Sequence, residues 1–163
     1  MHSRIFGIDA KENYNTAVAD GYTSVTQGLY YNFEEEVPAF ADYVAPVEKE
    51  DKEEDFNWLL QSFPEDLYVY EKETHTIVFL HGFKKKYFEK TFDRIKKLVN
   101  REDMFDKFCQ TSGELYQLEM LVNGDDGFYV SDTDGYYTTL DNFIRCITEG
   151  EKYVIFDSVD YHH

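Results

Sequence analysis

Between Thr76 and Val99 the hydrophobic pattern changes period once, and that change limits what the chain can fold into. Thr76-Ile77-Val78-Phe79-Leu80 is a short β-branched and aromatic run, the pattern of a buried strand. Gly82 follows it. From there Tyr87, Phe88, Phe92, Ile95, Leu98 and Val99 recur at three- and four-residue steps, which places them on one face of a helix. Lys85, Lys86, Lys90, Arg94, Lys96 and Lys97 fall on the opposite face. A strand that feeds a helix of this length requires a mixed fold. Phe88, Phe92 and Ile95 are expected to face its core.

The flanking stretches extend this unit. Leu67 to Tyr70 reads as a strand joined to Thr76–Leu80 through the turn Glu73-Thr74-His75. Six acids and two lysines between Glu48 and Asp55 lead into Phe56, Trp58, Leu59, Leu60 and Phe63 at helical spacing. Acids in a first turn suit the positive end of the helix dipole, and Pro64 ends the pattern, so a helix is predicted from about Glu50 to Ser62. A short helix is predicted over Glu102–Gln110. Tyr116, Leu118, Met120 and Val122 alternate with Gln117, Glu119 and Leu121, and this period of two favours a strand over a helix. Asn123-Gly124-Asp125-Asp126-Gly127 is a turn signal, and Phe128–Ser131 would complete a second hairpin. Leu140, Phe143, Ile144 and Ile147 mark a helix capped by Thr138 or Thr139 and followed by Gly150. Tyr153–Val159 is the closing strand.

Before these elements the pattern is weaker. Ser3–Asp9 reads as a strand that Gly7 makes imperfect, Lys11–Gly21 as a polar loop, Tyr22–Phe33 as a hairpin and Ala39–Val44 as a short helix. Ala45-Pro46-Val47 is the expected boundary between a small N-terminal lobe or extension, residues 1–46, and a main domain, residues 47–163. The order after it, αββααββαβ, predicts an α+β domain with a mostly antiparallel sheet built from hairpins and helices packed on one face.

Charge narrows the function classes. Thirty-three acids against 16 bases give −17, while residues 84–101 alone are +6, which leaves −23 on the rest. Direct binding of nucleic acid or of an anionic membrane surface is disfavoured, because both need cationic patches free of surrounding repulsion. No apolar run approaches the roughly 20 residues of a membrane span. The N-terminal patch is shorter than a secretory signal core, so a cytoplasmic protein is expected. Cys109 and Cys146, without CxxC spacing, are expected to be buried free thiols of a reducing compartment.

No catalytic, cofactor or metal motif survives inspection. His75 and His81 lie about 20 Å apart along an extended strand and cannot share an ion. Asp132-Thr133-Asp134-Gly135 resembles part of a calcium loop, but the alignment puts Val130 at the first ligand position and Asp141 at the last. There is no G-x-S-x-G elbow and no glycine-rich phosphate loop. No cofactor and no metal are therefore expected, and the balance leans away from an enzyme.

What remains is acidity with defined spacing. Glu50, Asp51, Glu53, Glu54 and Asp55 stand at helical neighbour distances of about 5–6 Å. Asp132 and Asp134 are two apart along a strand, and Asp125 and Asp126 lie in the turn before it. These spacings are comparable to phosphates along one nucleic-acid strand. The expectation is an acidic, non-enzymatic interaction protein that binds a basic partner as a nucleic-acid mimic, in composition like antirestriction, anti-CRISPR or immunity proteins. The alternatives are a small carboxylate-dependent hydrolase and an oligomeric structural protein. In the latter, a self-association face of Lys85, Lys86, Lys90, Arg94 and Lys97 docks on the Glu48–Asp55 helix of a neighbour.

Overall fold

Strand β7, Lys152–His162, is the longest strand and the one on which the sheet is assembled. Its core, Tyr153-Val154-Ile155-Phe156, is aromatic and β-branched, which suits a strand flanked on both edges. In the computed structural model, which describes residues 2–21, 43–110, 113–123 and 127–162, one edge of β7 pairs antiparallel with β1, His2–Ala10. β2, Tyr43–Pro46, and β4, Thr76–Phe79, pair antiparallel with opposite ends of β7. β3, Tyr68–Glu71, forms a hairpin with β4. β5, Tyr129–Ser131, lies parallel to β1 and forms a hairpin with β6, Tyr137–Thr139. The order is β3-β4-β7-β1-β5-β6, with β2 beside β7.

Six helices are described: α1 (Lys11–Ala19), α2 (Lys52–Gln61), α3 (Phe83–Val99), α4 (Met104–Gln110), α5 (Gly113–Asn123) and α6 (Leu140–Cys146). The fold is the α+β class expected, with one parallel strand pair in an otherwise antiparallel sheet. Phe6, Ile8, Ile77, Phe79, Val130, Tyr153 and Ile155 of the sheet meet Phe56, Leu59 and Leu60 of α2, Phe83 of α3, and Leu140 and Ile144 of α6 in one core. A smaller cluster of strand residues joins Ile5, Val159 and Tyr161, with Val44 and Tyr129 against them. Phe63, just past α2, sets its ring edge-on to Phe79 and Phe83, with centroids 5.6 and 5.4 Å away. Such aromatic pairs add to the area they bury.

Two junctions explain the register. The β1–β7 ladder shifts between Gly7 and Ile8, because Phe156 is an extra residue on β7. A Cβ at Gly7 would sit 2.1 Å from the Phe156 ring, so glycine is what lets that ring cross β1. Tyr14 of α1 stacks on the same ring at 5.5 Å. At the start of α3, Gly82 has φ +90°, a left-handed conformation open to glycine. The Glu149 carboxylate accepts from Gly82 N and Lys84 N, both at 2.9 Å, and so satisfies open N–H groups of that helix. Thr139 caps α6 as expected, its hydroxyl accepting from Asn142 N.

Several expectations are corrected. Tyr116–Val122 lies within helix α5, not a strand: its buried or half-buried residues are Leu118, Met120 and Leu121, while Tyr116 and Val122 are exposed. The Leu-, Glu-, Gln- and Met-rich composition favours helix as well. Tyr129–Ser131 pairs with β1 and β6 rather than with this segment, and residues 124–126 lie outside the described residues. Lys11–Ala19 is helix α1 rather than loop; it has no buried residue and hence no apolar stripe to reveal it. Tyr43 and Val44 belong to β2, not to a helix, and the expected hairpin at 22–33 lies outside the described residues. Strand β1, assigned by sequence to an N-terminal lobe, lies inside the sheet between β7 and β5. Phe92 is exposed and Phe88 and Ile95 half-buried, because only the first turns of α3 lie over the sheet. Cys109 and Cys146 are free and exposed.

Candidate functional site

Helix α2 carries the sequence-predicted acids, and its position follows from its inner face. At 100° steps Lys52, Asp55, Phe56, Leu59 and Leu60 point one way, and the last four are buried. Asp55 is therefore not available to a partner. Its Oδ2 accepts from Arg4 Nε at 2.8 Å, and Arg4 also pairs with Asp160. Lys52 reaches across to Asp157, a carboxylate that is almost wholly buried. These ion pairs fasten α2 to β1 and β7.

The remaining acids of α2 and of the turn before it face outward. Glu53 pairs with Lys72 at the β3–β4 turn, with both side chains at least half-exposed. Glu50, Asp51 and Glu54 are exposed and make no ion pair among the described residues. Trp58 follows Glu54 by one helical turn and is 43% exposed; its ring also packs edge-on against Phe128 at 4.7 Å and lies 5.8 Å from the Arg4 guanidinium. Behind this face, burial and then the Glu53 charge push the Tyr70 hydroxyl up to about 12. That hydroxyl lies 2.8 Å from His75 Nδ1.

The hairpin acids form a separate site. Asp132 and Asp134 lie in the β5–β6 turn, where Asp132 Oδ1 accepts from Asp134 N and Tyr136 N. Beside it the buried Asp9, at the C-terminal end of β1, accepts from Thr133 N at 3.0 Å, Thr133 Oγ1 at 2.5 Å, Asn13 Nδ2 at 2.9 Å and Ala10 N at 2.6 Å. Burial raises the Asp132 carboxyl above the usual range, with the Asp9 and Asp134 charges adding to it against two backbone hydrogen bonds. Asp55 is tied at Arg4 and this turn at Asp9, five residues along β1, or roughly 16 Å. The acids are thus not brought into one patch. Asp125 and Asp126 lie outside the described residues. No group of three or more His, Cys, Asp or Glu side chains is placed to hold a metal ion among the described residues.

The cations of α3 remain on the surface. Lys86 pairs with Glu89 at 2.7 Å and Lys96 with Asp93 at 3.6 Å, so Asp93 engages at i+3 rather than with Lys97 at i+4. Lys85, Lys90 and Lys97 make no ion pair among the described residues. Arg94, Lys97 and Arg101 face Tyr116 and Met120 across an open groove between α3 and α5. No described helix is long and apolar enough to cross a membrane.

Sequence reasoning missed Asp9, Arg4, Lys52, Asp157 and Asp160, the residues that make the polar contacts. Asp9 alone left a local signal, as an acid closing an apolar strand. The others pair across 51 to 156 residues of chain. No protein-family model, no curated protein and no solved structure matches the chain.

Proposed function

We propose that this protein acts by binding rather than by catalysis, as an acidic interaction protein of the cytoplasm. Its α2 face would enter the cationic channel of a nucleic-acid-acting protein in place of phosphates, an antirestriction-like, anti-CRISPR-like or immunity-like role. The observation that carries this reading is the contrast along α2 and the turn leading into it. Lys52 and Asp55 are consumed in partly buried ion pairs that fix the helix, while Glu50, Asp51 and Glu54 stand outward with no ion pair among the described residues. Charges held on a fixed helix lose little freedom on binding, and the −17 net charge steers a basic partner toward them.

The test is a mixing series with basic nucleic-acid-binding proteins at rising salt. Complexes are expected that weaken steeply with salt, are displaced by duplex DNA and are lost in a Glu50→Gln/Asp51→Asn/Glu54→Gln variant. Complexes indifferent to salt and to that variant would overturn the reading. A second reading, a carboxylate-dependent hydrolase, draws on Asp132, whose carboxyl is raised beside Asp9. Against it, four donors already occupy Asp9, and Asp132 Oδ1 holds two backbone N–H groups.

A further inference from the structure

Helix α3 presents an apolar floor inside a cationic rim. Phe88 and Phe92 line an open groove of about 620 Å³, with Lys84, Lys85, Lys96 and Arg145 among the residues around it. Phe92 is 60% exposed in the middle of the helix, an unusual place for a ring with no polar atom. The two acids of the rim are already engaged, Glu89 by Lys86 and Asp93 by Lys96. Arg145 stacks over Phe88 at 5.1 Å and donates to Asn142 and to the Val122 carbonyl, so its charge meets no carboxylate among the described residues. The groove therefore offers aromatic surface and uncompensated positive charge together.

The same chain carries the complementary half. The outer face of α2 sets Glu54 one turn from Trp58, which is 43% exposed, and the exposed Glu50 and Asp51 stand in the turn that leads into the helix. Among the described residues the ion pairs of α2 go to Arg4, Asp157 and Lys72, and Lys86 and Lys96 of α3 pair with its own Glu89 and Asp93. Along α2, Glu54 lies about 6 Å to the N-terminal side of Trp58, at roughly 1.5 Å per residue, and Glu50 lies beyond it.

We infer that the α3 groove docks a second copy of this chain, which enters with the Glu54–Trp58 face of its α2 helix. Trp58 packs on Phe88 and Phe92, and Glu54 and Glu50, which both lie on the N-terminal side of Trp58, meet the cations at one end of the groove, Lys85 and Lys84. This contact uses the α2 face but does not rest on the mimic reading, since it needs no foreign partner. Each copy is strongly negative, so long-range repulsion opposes association at very low salt. Near physiological salt, where the Debye length is about 8 Å, that repulsion is screened while the contact pairs persist.

Sedimentation and the emission of Trp58, the single tryptophan, test the contact in two charge-reversed variants, Lys85→Glu and Glu50→Lys/Glu54→Lys. All three positions are exposed, and circular dichroism checks that both variants fold. The wild type is expected to associate at physiological salt, with a concentration-dependent change in Trp58 emission. Each variant alone should lose this at least tenfold, and an equimolar mixture should regain it, because the mixture restores an acidic α2 opposite a basic α3. Phe92→Ser should weaken association without changing charge. A wild type that stays monomeric, folded variants that associate like it, or a mixture that stays apart would each overturn the inference.

Discussion

Helices α2 and α3 both carry dense charge of mainly one sign, and the fold uses them in different ways. On α2 one base and one acid, Lys52 and Asp55, are turned inward and paired with Asp157 and Arg4 of the sheet. On α3 the buried positions are Phe83 and Leu98, and no cation is buried. The cause lies beneath each helix. α2 crosses strands that place Arg4, Asp157 and Asp160 where they need partners, whereas α3 begins over the rings of Phe63 and Phe79. Polar groups removed from water must be paired, so the surface underneath decides which charges of a run become structural.

The largest expected effect separates two adjacent residues. Asp55→Ala leaves Arg4 with Asp160 alone in a partly buried site, and breaking such a pair costs about 3 kcal/mol. Glu54→Ala, one position away and exposed, should stay within roughly 0.5 kcal/mol. Urea unfolding midpoints measure both. Equal effects would remove the distinction between the inward and outward charges of α2.

That distinction was not legible in the sequence, and the reason is physical. Composition showed an acidic helix from about Glu50, and periodicity placed Phe56, Leu59 and Leu60 inward; both agree with α2 as observed. Asp55 lies at the edge of this stripe on the helical wheel, about 40° from Leu59, and an acid there reads as outward unless its partner is known. The partner, Arg4, is 51 residues away. The unit Thr76–Val99 was legible because a strand, a glycine and a helix are all local signals. Helix α5 was misread because Tyr116, Leu118, Met120 and Val122 alternate by chance while Leu118 and Leu121 make the inward step. Helix α1 has no buried residue to mark a stripe; Tyr14 stacks on Phe156 and Asn13 donates to Asp9.

A smaller effect concerns how α3 tolerates its own charge. Its first turn holds Lys84, Lys85 and Lys86 and no acid, against the preference for negative charge at a helix N-terminus. Glu149, far along the chain, supplies that charge, and hydrogen bonds from Lys84 N and Gly82 N hold its carboxyl below the usual range. A pKa lower in the folded than in the unfolded state gives stability that is present at neutral pH. It is lost as pH falls from the normal carboxylate range through the lowered value. Glu149→Gln should therefore lower the melting temperature at pH 7, and the gap to wild type should narrow below pH ~4. A gap independent of pH would mean that the contact acts through shape alone.

The smallest effect is one of sign. Lys90 and Glu50 are exposed and make no ion pair among the described residues, so their main energetic role is through the −17 net charge. Lys90→Gln makes the molecule more negative and should destabilise it by a few tenths of a kcal/mol at low salt. Glu50→Gln makes it less negative and should stabilise it by a similar amount. Both shifts should fade between about 0.01 and 1 M salt, as the Debye length falls from about 30 to 3 Å. Chemical unfolding in urea, which adds no ions, resolves them. A cost above about 1 kcal/mol for Lys90→Gln, persistent at high salt, would mean that a short-range contact holds this lysine inside the molecule. The contrast between a half-structural α2 and an α3 with no buried cation would then fail at α3.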